Sequence, residues 1–426
     1  MKTLKFWLLQ ILILMMGCYT VSAYATCRST GVSQTEDDRT APIRFGTVNL
    51  TSTYLQPVGT VLGKAIVPPT NYTYGSATAA SVLWECDASD LPNIYFLVAT
   101  NGDDRVGGYW DLGAQDGMPN VYATFFRYVG IKQTMDGVVL TKFWQPLPVR
   151  NYVTVGNKIQ IRLQDIPILS AELYRISQIP SAGLNNYCGA GTSGTIASGT
   201  YTCLQPNAYI QLKGPNLNSD EIGENSETKF DFWPANGIGY GMRTATLYNE
   251  PTCVARNATP LVLFDTMTVE TLNQGKSTQA QFNVSIECSN QAVSGVASKQ
   301  TAMGIQASEG AYTAAQKLGL VNAQNGVKAL LSDQYGTNGI AKGVGIFLRN
   351  SSTGTDMNFV GQPGISGNGA NAGWYPFKDG ATAKGSTEAG YTHYLQNYTA
   401  ILKKLDGQTV EAGKVHATAY VLVKVQ

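Results

Sequence analysis

The stretch "HATAYVLVKVQ", residues 416–426, decides how this chain is read. Val415, Ala417, Ala419, Val421, Val423 and Val425 are apolar at every second position, and Thr418, Lys424 and Gln426 alternate with them. A period of two is that of a strand with one face on a core and the other on solvent. The sequence stops while the strand is still running. The expectation is therefore a sheet edge that something else must cover.

The rest of the chain agrees with a β reading. Its 426 residues suffice for two or three domains, each with its own core. Gly 45 and Tyr 23, with many short Val/Thr/Tyr runs, indicate an all-β chain rich in turns. Charged residues are 14%, and 30 basic against 29 acidic leave a net charge of +1. That balance argues against nucleic acid or an anionic membrane as the main partner.

Lys2 and Lys5, the apolar run "FWLLQILILMM" and Ala23-Tyr24-Ala25 read as an export signal with its cleavage site. Residues 1–25 are then a signal peptide, residues 26–248 a first domain and residues 249–426 a second, joined near "YNEPTC", residues 248–253. Beyond the signal stand Cys27, Cys86, Cys188, Cys203, Cys253 and Cys288, an even set that in an exported protein implies disulfides. Six cysteines allow fifteen pairings; their order suggests the sequential one, Cys27 with Cys86, Cys188 with Cys203 and Cys253 with Cys288. With no C-x-x-C and only His393 and His416, no metal site and no cofactor is expected.

In the first domain, runs such as "SVLWEC", "NIYFLVAT", "VYATFFRYV", "KIQIRLQDI" and "AYIQLKG" are separated by Gly, Asp, Asn and Pro clusters, the spacing of a β-sandwich or barrel. In the second, Cys253 opens a strand and "TQAQFNVSIEC" alternates up to Cys288. "GVGIFLRN", residues 343–350, forms a further strand, and the long "THYLQNYTAILKK" run leads to the terminal one. The one helical candidate is "GAYTAAQKLGLVNAQNGVKALL", where Ala and Leu recur loosely, but Gly319 and Gly326 interrupt it.

These features resemble the pilin domain of chaperone-usher pili, in particular two-domain tip adhesins related to the mannose-binding adhesin of type 1 pili. The resemblance rests on Cys253 with Cys288, on the "GVGI" strand, on Tyr398 and Ala400, on Val410, Ala412 and Gly413, and on the alternating end. It covers residues 253–426; in residues 26–248 only the Cys27 and Cys86 pair is similar to the adhesin's lectin domain. The resemblance implies an incomplete immunoglobulin-like domain lacking its last strand. Val415, Ala417, Ala419, Val421, Val423 and Val425 would line a groove that a periplasmic chaperone fills first and an adjacent pilus subunit later, after passage through the outer-membrane usher. Cys27 follows the cleavage site almost at once, so no strand to donate is expected, which would place the subunit at the fimbrial tip on the cell surface.

The first domain is then expected to bind a host glycan or a matrix protein. Its densest set of aromatic and hydrogen-bonding groups is "NGDDRVGGYWDLGAQDGMPN", residues 101–120, with Asp103, Asp104, Arg105, Tyr109, Trp110, Asp111 and Asp116. A second set, Phe143, Trp144 and Gln145, adds Trp144 as a candidate. Calcium on the four aspartates is left open. The absence of G-x-S-x-G, H-E-x-x-H and P-loop motifs, and of histidine from the first domain, argues against an enzyme. The alternative is a non-adhesive structural tip subunit that initiates the pilus.

Overall fold

The computed structural model describes residues 27–32, 39–180, 195–233, 235–362 and 367–426. The expected signal peptide lies outside them, as does Cys188 of the expected Cys188–Cys203 pair; Cys203 itself is buried. The chain is all-β and forms two main hydrophobic cores. Leu247 is the last member of the first, and Cys253 the first member of the second.

The principal strands of the first domain are β1 (Thr40–Ile43), β2 (Val61–Val67), β3 (Val82–Asp87), β4 (Tyr95–Thr100), β5 (Val129–Met135), β6 (Gln145–Pro148), β7 (Lys158–Arg162), β8 (Leu169–Arg175), β9 (Ala208–Lys213) and β10 (Gly237–Met242). One sheet runs β6-β4-β9-β10-β1, antiparallel except for the parallel β10–β1 pair. A second centres on β2-β8-β5 and a third on β3-β7. β4 shows why its sequence is continuously apolar. Phe96 and Val98 point into the main core, while Leu97 and Ala99 point the other way, into a smaller core with Trp144, Tyr209 and Phe232. A central strand covered on both faces has no need of polar alternation. Beside it, Cys27 is bonded to Cys86, and the buried Trp84 donates its indole N–H to Asn236 Oδ1 at 2.6 Å.

In the second domain, β11 (Cys253–Ala258) pairs with β12 (Thr278–Ser289) after a short helix α1 (Val269–Asn273). β13 (Thr301–Ala307) leads into helix α2 (Glu309–Lys317). β14 (Val344–Asn350), β15 (Tyr391–Lys404) and β16 (Ala419–Val425) complete the set. One sheet runs β11-β12-β15-β14; β13 and β16 belong to the facing sheet. Cys253 and Cys288 are direct cross-strand partners and are disulfide-bonded. Helix α2 exists because Ser308 caps it, accepting from the Ala311 N–H at 3.2 Å, and it ends where Gly319 adopts φ +67°.

Two glycine motifs of the sequence meet at one place. Gly343 has φ +70°, and a methyl there would collide with the Thr409 carbonyl; a methyl on Gly413 would collide with the backbone at Ile340 and Ala341. Ala341 N–H donates to the Lys414 carbonyl at 3.0 Å across that approach. "GVGI" and "VEAG" are thus two sides of a single close backbone contact.

The terminal strand starts at Ala419, a correction to the expected start at Val415. Residues 415–418 lie outside the strand and are held by both backbone and side chains: the Asp333 N–H donates to the His416 carbonyl at 2.9 Å and the Ser308 N–H to the Thr418 carbonyl at 3.1 Å. His416 N–H donates to Ser332 Oγ at 3.2 Å, and Thr418 donates to Asp333 through its N–H at 3.0 Å and its hydroxyl at 2.7 Å. Val415, Ala417, Val421 and Val423 are half-buried against the second core, whereas Val425 is fully buried and Ala419 faces outward.

Candidate functional site

The loop after β4 does not gather its aspartates. Asp104 is fully buried and caps the next turn by accepting from the Val106 N–H at 2.8 Å. Asp111 accepts from the backbone N–H groups of Ala114, Asn120 and Val121, at 3.2, 2.7 and 3.1 Å. Asp116 accepts from the Ser177 N–H at 2.8 Å and from its hydroxyl at 2.5 Å. Asp and Asn anchor loops in this way because a carboxylate can satisfy several N–H groups that no ladder takes up. Only Asp103 of the four is exposed. The carboxylates that do converge among the described residues are Asp220, Glu224 and Asp231, with ligand oxygens within 4.8 Å of one another. There Asp220 is an anchor too, accepting from Gln211 Nε2 at 2.7 Å and from the Asp231 N–H at 3.0 Å, and burial raises its pKa.

The aromatic candidates divide. Trp144 is fully buried, its indole N–H donating to the Lys229 carbonyl at 3.3 Å and its ring edge-on to Phe232. That burial corrects its reading as a ligand contact. Its neighbour on the chain, Phe143, is 46% exposed. Tyr109 and Trp110 are half-buried, edge to face at 5.7 Å, and the Arg105 guanidinium lies 3.8 Å above the Tyr109 ring. Lys142 approaches the same ring at 4.9 Å. Glu227 sits between the two cations, 4.0 Å from Arg105 and 3.7 Å from Lys142. The surface is thus an aromatic platform flanked by both signs of charge, suited to a flat polar ligand that stacks and hydrogen-bonds. Lys142 and Glu227 carried no signal of their own in the sequence; Phe143 did, since an aromatic pair at a strand places one ring inward and one outward.

At the other end, β16 hydrogen-bonds as a strand only to β13, from Thr301 opposite Val425 to Ala307 opposite Ala419. No other described strand pairs with it, so its second edge is unpaired. Tyr420 is 53% exposed, and the non-strand segment after β11 exposes Leu261 by 68% and Leu263 by 74%. Ala258, Val262, Phe264 and Met267 are half-buried there, as Val421 and Val423 are on β16.

A third set of residues ties the domains together. Glu287 is 2% exposed on its side chain and accepts from Tyr54 Oη at 2.8 Å, Ser386 Oγ at 2.8 Å and Arg256 Nε at 2.8 Å, with His393 Nε2 at 3.2 Å. Burial opposes ionisation of this carboxyl, but the hydrogen bonds and the charge of His393 outweigh it and hold its pKa below the ordinary value. Tyr54, from the first domain, also lies 4.6 Å from the Tyr391 ring, and Tyr391 Oη donates to Ser52 Oγ at 2.9 Å.

Residues 243–426 match the family model described as Fimbrial protein. No curated protein matches the chain. Among solved structures, the P pilus rod subunit PapA is 16% identical over 41% of this chain and 99% of its own, with a TM-score of 0.24. The CupB6 tip adhesin from Pseudomonas aeruginosa is 11% identical over 94% of each chain, with a TM-score of 0.23. The CsuC-CsuE chaperone-tip adhesion subunit pre-assembly complex from the archaic chaperone-usher Csu pili of Acinetobacter baumannii is 12% identical over 94% of this chain and 100% of that one, with a TM-score of 0.19. At scores this low the structural likeness carries no argument.

Proposed function

We propose that this chain, whose residues 243–426 match the fimbrial protein family, is a tip adhesin of a chaperone-usher pilus. In this reading the chain divides at residues 248 and 249. It is exported through the periplasm and displayed at the cell surface. Its second domain joins the pilus by accepting a strand, and its first domain holds a host glycan or matrix protein.

The observation that carries the proposal is the unpaired edge of β16 above half-buried Val415, Ala417, Val421 and Val423. A strand added there satisfies the free backbone groups and lays alternate side chains over those half-buried residues. Four or five such side chains contribute on the order of 6–15 kcal/mol gross, at about 1.5–3 kcal/mol each. A periplasmic chaperone supplies that strand during export, the usher passes the subunit outward, and the adjacent subunit replaces the chaperone. The receptor surface is the platform of Arg105, Tyr109 and Trp110 with Phe143, Lys142 and Glu227.

The test uses the full chain. A synthetic peptide of alternating apolar and polar residues should raise its Tm by about 5 °C or more. The complemented chain should bind members of an array of glycans, collagens and fibronectin. Trp110→Ala should weaken that binding at least tenfold with the circular dichroism spectrum unchanged, since stacking contacts of this kind dominate such sites. A chain indifferent to the peptide and inert on the array would sink the reading.

A further inference from the structure

Between the two domains lies a cavity of about 480 Å³, beside the Glu287 cluster. That volume is within the range of small-ligand sites. Arg127, Tyr128 and Arg175 line it from the first domain, Asn249 from the connection, and Gln291 and Tyr391 from the second domain.

Its charge is one-sided. Arg175 is 9% exposed, and its guanidinium donates to the Thr51 carbonyl at 2.6 Å. Arg127 Nε donates to the Thr195 carbonyl at 3.0 Å. Both partners are neutral, and among the described residues neither guanidinium has a carboxylate at ion-pair distance. The carboxylates that flank the junction are engaged elsewhere, Glu250 with Lys299 at 3.0 Å and Glu287 with Arg256 at 2.8 Å. Burial also pulls the Arg175 pKa below its ordinary value.

The wall of the cavity is strained. Tyr128 has φ +60°, in the left-handed region that a bulky side chain adopts at a cost of about 1–2 kcal/mol. The turn is fixed by Thr124, whose hydroxyl donates to the Val129 carbonyl at 2.8 Å and accepts from the Phe126 N–H at 3.1 Å. The outcome is that Arg127 and Tyr128 are presented side by side at the junction. Two guanidinium groups that among the described residues meet carbonyls and no carboxylate, polar side chains from both domains and an aromatic residue held at positive φ together describe a site built for a small polar anion.

We propose that this cavity binds an acidic monosaccharide, a hexuronic or sialic acid type of sugar. Its carboxylate lies between Arg127 and Arg175, where it makes charge-assisted hydrogen bonds. Its hydroxyls face Asn249, Gln291 and Tyr391, and its ring lies against Tyr128. The site shares no residue with the Arg105 and Trp110 platform and does not depend on the adhesin reading.

Isothermal titration calorimetry on the full chain tests this, with glucuronate, N-acetylneuraminate, glucose and sodium sulfate as the probes. At least one of the two sugar acids should bind saturably, at least tenfold more tightly than glucose. Arg127→Gln, at an exposed position, should weaken that binding at least tenfold, and Trp110→Ala should leave it unchanged. Absence of saturation by both sugar acids, equal binding by Arg127→Gln, loss of binding in Trp110→Ala, or sulfate binding as tightly as the sugars would each overturn the proposal.

Discussion

Glu287 alternates with Ile286 and Cys288 on a strand whose other polar residues, Gln281 and Asn283, face solvent, and by that alternation it should be exposed. It is buried because Tyr54 of the other domain comes down on it. A carboxyl whose folded pKa lies below its unfolded one, near 4.3, stabilises the fold at higher pH, and that contribution is lost as pH falls through the lowered folded value. Glu287→Gln should therefore cost about 1–3 kcal/mol at pH 7, with a smaller difference from the parent at pH 3, measured by thermal unfolding at both pH values. Legibility at this scale was partial. Tyr109, Trp110 and Arg105 stood out by type, and they do share a surface. Asp104, Asp111 and Asp116 looked the same as ligand groups, because a carboxylate that anchors a loop and one that holds a sugar are chemically identical in sequence. Trp144 misled for a related reason: it stands just before β6 in a sheet covered on both faces, so an apolar side chain pointing away from the main core is buried as well.

The strands were read from periodicity, and the period-two stretches ending at Cys288 and at Gln426 are strands β12 and β16. Glycine positions carried more than turns. Because Gly343 and Gly413 mark a close approach of two backbones, Gly413→Ala should overpack it and cost about 1–3 kcal/mol, read as a fall in Tm, while Gly407→Ala, in open space although at φ +70°, should cost about 1 kcal/mol. Equal losses at the two positions would show that backbone conformation and not contact governs the motif. The start of β16 was four residues off, since nothing in "VHAT" announces that Ser332 and Asp333 will hold it by their side chains. Such long-range side-chain contacts have no period.

At the scale of the whole molecule, the sequence offers "YNEPTC", residues 248–253, as a join between two β patterns, but nothing in it announces the contact between the two cores. Tyr54, Arg256 and the Tyr391 and His393 pair come from three distant parts of the sequence and follow no pattern. Tyr54→Ala removes the hydroxyl on Glu287 and the ring against Tyr391. Calorimetry should then show two unfolding transitions further apart than in the parent chain, and a single unchanged transition would argue that the junction adds nothing. The Cys253–Cys288 bond, placed at the first residue of the second core, has a consequence for force. Tension entering from the first domain reaches Cys253 and passes straight across the disulfide into β12, by-passing the length of β11. β12 in turn is laced to β15 over the twelve pairs from Thr278–Leu402 to Ser289–Tyr391, so the pull is shared by many hydrogen bonds loaded side by side. A chain held at one end and dragged at the other by flowing liquid would thus meet its load in the middle of a sheet and not at a peelable margin.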